Sequence, residues 1–254
     1  MRTFKGTATV AAGAVSLALL LTACGGGEKS DDKGAPKASG SASASASAAP
    51  DAKALSVAEL EKLIVEQADL KGYQVQKAEA ADVVKPGDVA TDKPACKPIA
   101  DVLSSIAPGG PAADVLRQAI EVPKKEGATA APEDILGAFS APATSVVLGS
   151  HDGAGAQEAL ASLKAAGPEC AGGFALLGGG EKTKVLKVAP ESITAGEEAV
   201  AYTVTTDVEG AEWVSKVVAF RKGNTLASFA TISLGGKVKE LPKTVIDAQA
   251  AKLG

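Results

Sequence analysis

The hydrophobic pattern divides the chain into three unequal stretches. Val10 to Leu21 is a run of about 12 largely apolar residues, the length of a signal-peptide core. From Gly25 to Lys53 there is no Val, Ile, Leu or aromatic residue, and Ser41 to Ala48 simply alternates Ser and Ala. Periodic structure begins at Leu55. Ser56 is placed to cap a helix, Glu59 completes a capping box, and Leu55 packs on Leu60 as a staple. Leu60, Leu63, Ile64 and Ala68 follow on one face, with Gly72 as the C-terminal stop. Tyr73 to Lys77 alternates apolar and polar, as a short strand does. Pro98–Ile106 and Ala112–Ile120 predict two more short helices, the second with Val115, Leu116, Ala119 and Ile120 inward. Val122 to Thr144 carries Pro123, Pro132 and Pro142 and no clear period, although Ile135, Leu136 and Phe139 fit one docking helical turn. A connection longer than about 15 residues in a compact domain is usually functional or mobile.

Beyond it, Ser145–Ser150 predicts a strand. A helix follows from Gly153 to Ala166, with Ala156, Ala159, Leu160 and Leu163 inward and Gly167-Pro168 as its end. Lys182–Val188, Glu198–Val208, Glu212–Arg221 and Thr225–Ile232 are strands by their alternation. Val200, Tyr202, Val204, Thr206 and Val208 mark one face; Val214, Val218 and Phe220 mark another, with Lys216 breaking the pattern. Glu209-Gly210 and Lys222-Gly223-Asn224 suit tight turns between antiparallel neighbours. A last helix runs from Pro242, in its first turn, to Leu253. Helices followed by a C-terminal β-meander predict an α+β domain with an antiparallel sheet packed by helices.

The first stretch carries its own chemistry. Arg2 and Lys5 give a positive start, no acidic residue precedes Glu28, and the apolar run is too short to cross a bilayer as a helix. Leu21-Thr22-Ala23-Cys24 resembles the bacterial lipobox. That resemblance implies a diacylglyceryl group on the Cys24 thiol, further acyl chains of the palmitate kind, and cleavage between Ala23 and Cys24. Two acyl chains suffice for stable anchoring where one is marginal. An ordinary secretory signal with an incidental Cys and an uncleaved N-terminal helix are the competing readings. The expected organisation is therefore a signal peptide over 1–23, a lipid-anchored flexible linker over 24–54 and one extracytoplasmic domain over 55–254. The linker cannot bury enough apolar surface to offset its ordering entropy, and about 30 such residues span on the order of 30 Å.

Charge narrows the partners. The formal charge is −4, and removing residues 1–23 takes away two basic and no acidic groups, leaving −6. An acidic surface without basic patches argues against nucleic acid or anionic lipid as the main partner, and only seven aromatic residues from Tyr73 onward argue against base stacking. With Cys24 lipidated, Cys96 and Cys170 remain, and in an oxidising compartment they make one disulfide. Two free thiols or a redox pair are the other readings; the absence of a C-x-x-C spacing speaks against the latter.

No catalytic set emerges. Ser150-His151-Asp152 has the residue types of a triad, but consecutive side chains on a strand point to opposite faces. His151 is the only histidine, read as a loop residue beside a helix start. Gly153-Ala154-Gly155 lacks the third glycine of a dinucleotide loop, and Gly178-Gly179-Gly180 lacks the Lys-Ser/Thr of a phosphate loop. Glu197-Glu198 and Glu133-Asp134 are sequence neighbours, which does not make two carboxylates converge. No metal site and no cofactor are expected, and no ligand-binding residue is assigned.

Two cysteine-centred segments carry a further resemblance. They are Pro94-Ala95-Cys96-Lys97-Pro98-Ile99-Ala100 and the run from Ala159 through Gly167-Pro168-Glu169-Cys170-Ala171-Gly172-Gly173 to Phe174. With Gly196–Val200 and Val217–Asn224, they resemble the PknH-like extracellular sensor domain of actinobacteria, over most of Leu55 to Ile232. The resemblance implies an antiparallel sheet packed by helices around a cleft, stapled by disulfide, that senses or binds an envelope ligand. Here two cysteines allow one bridge where the kinase's domain has two, and no kinase is attached. The expected function is a non-enzymatic sensor or ligand-binding lipoprotein. It sits on the extracytoplasmic face of the cell membrane, with the membrane as partner through Cys24 and an unidentified envelope ligand or protein as the other. A scaffolding lipoprotein without a small-molecule ligand and an envelope hydrolase are the alternatives.

Overall fold

The structure is a computed structural model that describes residues 52–78, 83–122 and 140–254. The chain divides into two units, Met1–Ala42 and Ser43–Gly254, and every described residue belongs to the second. Its described strands are β1 (Tyr73–Lys77), β2 (Val89–Thr91), β3 (Ala113–Glu121), β4 (Ala143–Ser150), β5 (Phe174–Gly178), β6 (Glu181–Glu191), β7 (Glu198–Val208), β8 (Ala211–Lys222) and β9 (Thr225–Ile232). They form one antiparallel sheet in the order β1-β3-β4-β9-β8-β7-β6-β5-β2. The described helices are α1 (Val57–Leu63), α2 (Lys97–Leu103), α3 (Gly155–Glu169) and α4 (Lys243–Leu253).

Helices cover both faces of the sheet. Ile99 and Val102 of α2 and Leu160 and Leu163 of α3 pack on Tyr202, Val204, Val217 and Leu226. On the other face Leu60 of α1 and Val245 and Ile246 of α4 pack on Val146, Leu148, Val218, Phe220 and Phe229. The Phe220 and Phe229 rings stack with centroids 5.7 Å apart. An antiparallel strand that is solvated on one side alternates, whereas one buried on both sides does not. The central strands β4 and β9 are accordingly buried at nearly every position, while the outlying β3 alternates. The α+β expectation holds, and Val204 and Phe220 do face opposite layers as their alternation predicts.

Four local expectations are corrected. Ala112–Ile120 is the strand β3 and not a helix. Its apolar positions satisfy a helical period, but Val115, Arg117 and Ala119 also repeat every two, and these three are the buried ones. Arg117 reads as a polar interruption only until Glu61 of α1 is placed against it as an ion-pair partner. Helix α1 has the predicted Ser56–Glu59 capping box but ends at Leu63, well before Gly72. The stop is tertiary: Gln249 of α4, fully buried, donates from Nε2 to Leu63 O (2.8 Å) and accepts from Val65 N–H at Oε1 (2.9 Å). Helix α2 likewise ends at Leu103, short of Ile106.

Helix α3 continues through Gly167-Pro168 to Glu169. Proline inside a helix removes the N–H that would bond the carbonyl four residues back, here that of Lys164. The Tyr202 hydroxyl lies 3.4 Å from that carbonyl oxygen and donates to Leu163 O at 3.0 Å. Gly167 permits this approach, since a Cβ there would lie 2.6 Å from Tyr202 Cε1. The strands β2 and β5, at one end of the sheet, were not anticipated. The docking turn expected at Ile135, Leu136 and Phe139 lies outside the described residues.

Candidate functional site

Cys96 closes a short turn, Pro94–Cys96, that runs directly into α2, and Cys170 is the last cap residue of α3. The two are fully buried and bonded, with Cα atoms 5.8 Å apart, so the disulfide ties α2 to α3 above the sheet. Past Cys170 the chain turns sharply into β5. Gly173 has φ +81°, and a Cβ there would lie 2.8 Å from Leu186 O. Opposite it β6 carries a bulge: Val185 pairs with Thr206 and Lys187 with Thr205, leaving Leu186 over. Turn and bulge together leave an open cleft of about 560 Å³ at the β2–β5–β6 corner, with Lys93, Lys182, Lys184, Asp92, Gly172 and Gly173 among its walls. This cleft mixes lysines with the apolar Phe174, Val185 and Leu186 and is far in sequence from the Val122–Thr144 connection, of which residues 123–139 lie outside the described residues.

The Ser150-His151-Asp152 segment holds the chain where it enters the domain. Ser150 Oγ accepts from Leu55 N–H (2.8 Å), and Asp152 Oδ1 accepts from Ala54 N–H (2.9 Å). Asn224 Nδ2 donates to Lys53 O (2.7 Å) and to His151 O (3.1 Å), and Gly153 N–H donates to Ala52 O (2.7 Å). Four successive residues, Ala52 to Leu55, are thereby strapped onto the end of β4 and the β8–β9 turn. His151 lies beneath this strap, buried, with its Nε2 lacking a hydrogen-bond partner. Burial pushes its pKa below the ordinary imidazole value.

The carboxylates diverge into separate ion pairs. Glu197 meets the buried Arg221 (2.6 Å) and its neighbour Glu198 meets Lys164 (2.5 Å). Lys216 is buried on the sheet and bonds Glu191 (2.5 Å) and Thr203 Oγ1 (2.9 Å). For Glu191 burial acts to raise the pKa, but the bonds from Lys216 and Thr203 and the Lys216 charge bring it below the usual carboxylate value. Burial raises Asp101 despite its contact with Lys97, and burial alone raises Asp114. Glu133-Asp134 and Cys24 lie outside the described residues. Among the described residues no group of three His, Cys, Asp or Glu side chains is placed to hold a metal ion, and no helix is long and apolar enough to cross a membrane.

What these features define is a disulfide-stapled α+β domain with one antiparallel sheet between two helical layers and an open, lysine-bearing cleft near the staple. Among solved structures, the extracellular domain of PknH from Mycobacterium tuberculosis is similar: the TM-score is 0.50 at 11% sequence identity, covering 79% of this chain and 95% of that one. At that identity the likeness is one of fold, and it agrees with the architecture the cysteine-flanking segments implied. No family model and no curated protein sequence matches the chain. Sequence reasoning did not find the cleft lysines. The signal available was the Lys182-x-Lys184 spacing, which puts two cations on one face of a strand next to a glycine-rich turn.

Proposed function

We propose that this protein is a lipid-anchored, extracytoplasmic, non-catalytic module that binds an envelope ligand in the cleft beside the disulfide. The observation that carries the reading is the juxtaposition of staple, bulge and glycine turn, which builds a concave site at one end of the sheet. The lipobox at Cys24, the apolar-free linker and the fold shared with an extracellular domain support the location. The ion pairs that separate Glu197, Glu198 and Glu191 give no support to the hydrolase alternative. Signalling in this reading passes through a partner, because a lipid anchor spans only one leaflet.

Native mass spectrometry of the full-length protein, gently extracted from its own membranes, tests this. An added small mass that is lost on denaturation supports ligand binding and identifies the ligand's class. A protein-sized addition supports the scaffolding alternative, for which Ile232 and Leu234, 46% and 69% exposed at one end of β9, are the apolar contacts on offer. The chain with nothing retained argues against tight ligand binding.

A further inference from the structure

The cleft has a marked charge preference. Lys182 and Lys184 stand two apart on β6 and therefore share a face, across the ladder from Leu177 and Ala175. Lys93 reaches the same hollow from beyond β2, with Nζ held 2.6 Å from Gly173 O. Among the described residues the cations in ion pairs are Lys77, Lys97, Arg117, Lys164, Lys216, Arg221 and Lys252, and none of the three cleft lysines is among them. Other surface lysines are also unpaired, but these three converge on one concavity.

Two carboxylates lie beside these lysines, each bonded to a backbone N–H. Asp92 Oδ1 accepts from Ala175 N–H (2.8 Å), and Asp207, opposite Lys184 on β7, accepts from Gly210 N–H (2.8 Å) in its own turn. Gly172 has open space where a side chain would stand, so a ligand can approach the backbone there closely, whereas that side of Gly173 is closed by the β6 carbonyls. Three lysines against the single Asp92 leave the cleft walls with an excess of positive charge, and clustered ammonium groups suit a multiply charged oxyanion.

We propose that this cleft is an anion site that takes a phosphate group borne by a glycan or by a lipid headgroup. The proposal rests on the ligand-binding reading above and names its ligand chemistry. The test follows backbone amides of the full-length protein by NMR while inorganic phosphate and then glycerol 3-phosphate are added at low salt. The expected result is saturable shifts at Gly172, Gly173 and Lys184 that weaken as salt is raised. Binding should fall at least tenfold in K182E/K184E and stay unchanged in K71E, at the far edge of the sheet. Shifts of the same cleft amides on phosphatidylglycerol vesicles, absent on phosphatidylcholine vesicles where the Cys24 lipid alone holds the protein, assign the phosphate to a lipid headgroup. A response confined to the soluble phosphate esters assigns it to a glycan. Shifts scattered over all surface lysines, or equal binding by K182E/K184E, overturn the proposal. An uncharged natural ligand that moves the same amides overturns the anion class yet preserves the ligand-binding reading. No retained ligand together with no cleft response sinks both.

Discussion

Replacing Gln249 by Leu isolates the contact that joins the two ends of the domain. The side chain is fully buried and bonds Leu63 O and Val65 N–H, partners more than 180 residues away in the chain. Leu is close to Gln in volume, so the exchange leaves little cavity and removes mainly the two bonds. What remains is a buried N–H and a partly buried C=O without partners. Each such orphan costs about 1–3 kcal/mol, the carbonyl at the lower end because it keeps some access to water. The expected loss is therefore about 2–4 kcal/mol, a sizeable share of the 5–15 kcal/mol that holds a typical domain folded. Urea unfolding followed by tryptophan fluorescence reads it as a lower midpoint at unchanged slope. Hydrogen exchange gives the local counterpart: the Ile64 and Val65 amides should lose protection before the sheet does. A midpoint within 0.5 kcal/mol of wild type would refute the claim that α1 is stopped from α4 and return that role to local sequence.

Exchanging both Cys96 and Cys170 for Ser opens a loop closed over a sequence separation of 74, which the chain-entropy model values at about 4 kcal/mol. Unfolding with and without reductant checks this, and the double variant should match the reduced wild type. Gly167→Ala drives a methyl into the Tyr202 ring and is expected to cost about 1–3 kcal/mol, as overpacking does, measured by the same urea titration. His151 sets a pH dependence. Its folded pKa lies below the ordinary 6.5, so the unfolded chain binds the proton first and stability falls as pH drops below 6.5. The slope from one such group is at most about 1.4 kcal/mol per pH unit. His151→Asn should remove that component and leave the losses below about pH 4.5 that follow from the lowered carboxylates of Glu61 and Glu191. A wild-type profile flat between pH 6.5 and 5 would contradict the neutral, buried state of His151.

The meander was the most legible part of the fold. The boundaries of β7 and β9 coincide with those read from alternation, because the turns between β7, β8 and β9 are set by local chemistry. Glu209 and Gly210 both have positive φ, and Gly223 opens the next turn at φ +57°. The capping box at Ser56 was legible for the same reason. Helix ends and β3 were not, since what decides them is distant in sequence: Gln249 for α1, Tyr202 for the passage of α3 through Pro168, and Glu61 for Arg117. Lys216 looked like an error in a strand until Glu191 and Thr203 were brought beside it. The cleft was illegible because three segments meet there, around Lys93, Gly172 and Lys184, and only the cysteines at its border were conspicuous. The use of Ser150, His151 and Asp152 in holding Ala52 to Leu55 was not legible, because it depends on where the chain enters the domain.

The anchored, extracytoplasmic reading is tested most directly by the mass of the mature protein recovered from its own membranes, intact and after digestion. The expected chain begins at Cys24 with a diacylglyceryl group on its thiol, and its Cys96 and Cys170 peptides are released as one until reduced. A chain that retains residues 1–23, or one that starts elsewhere without lipid and is found in the aqueous fraction, would contradict it.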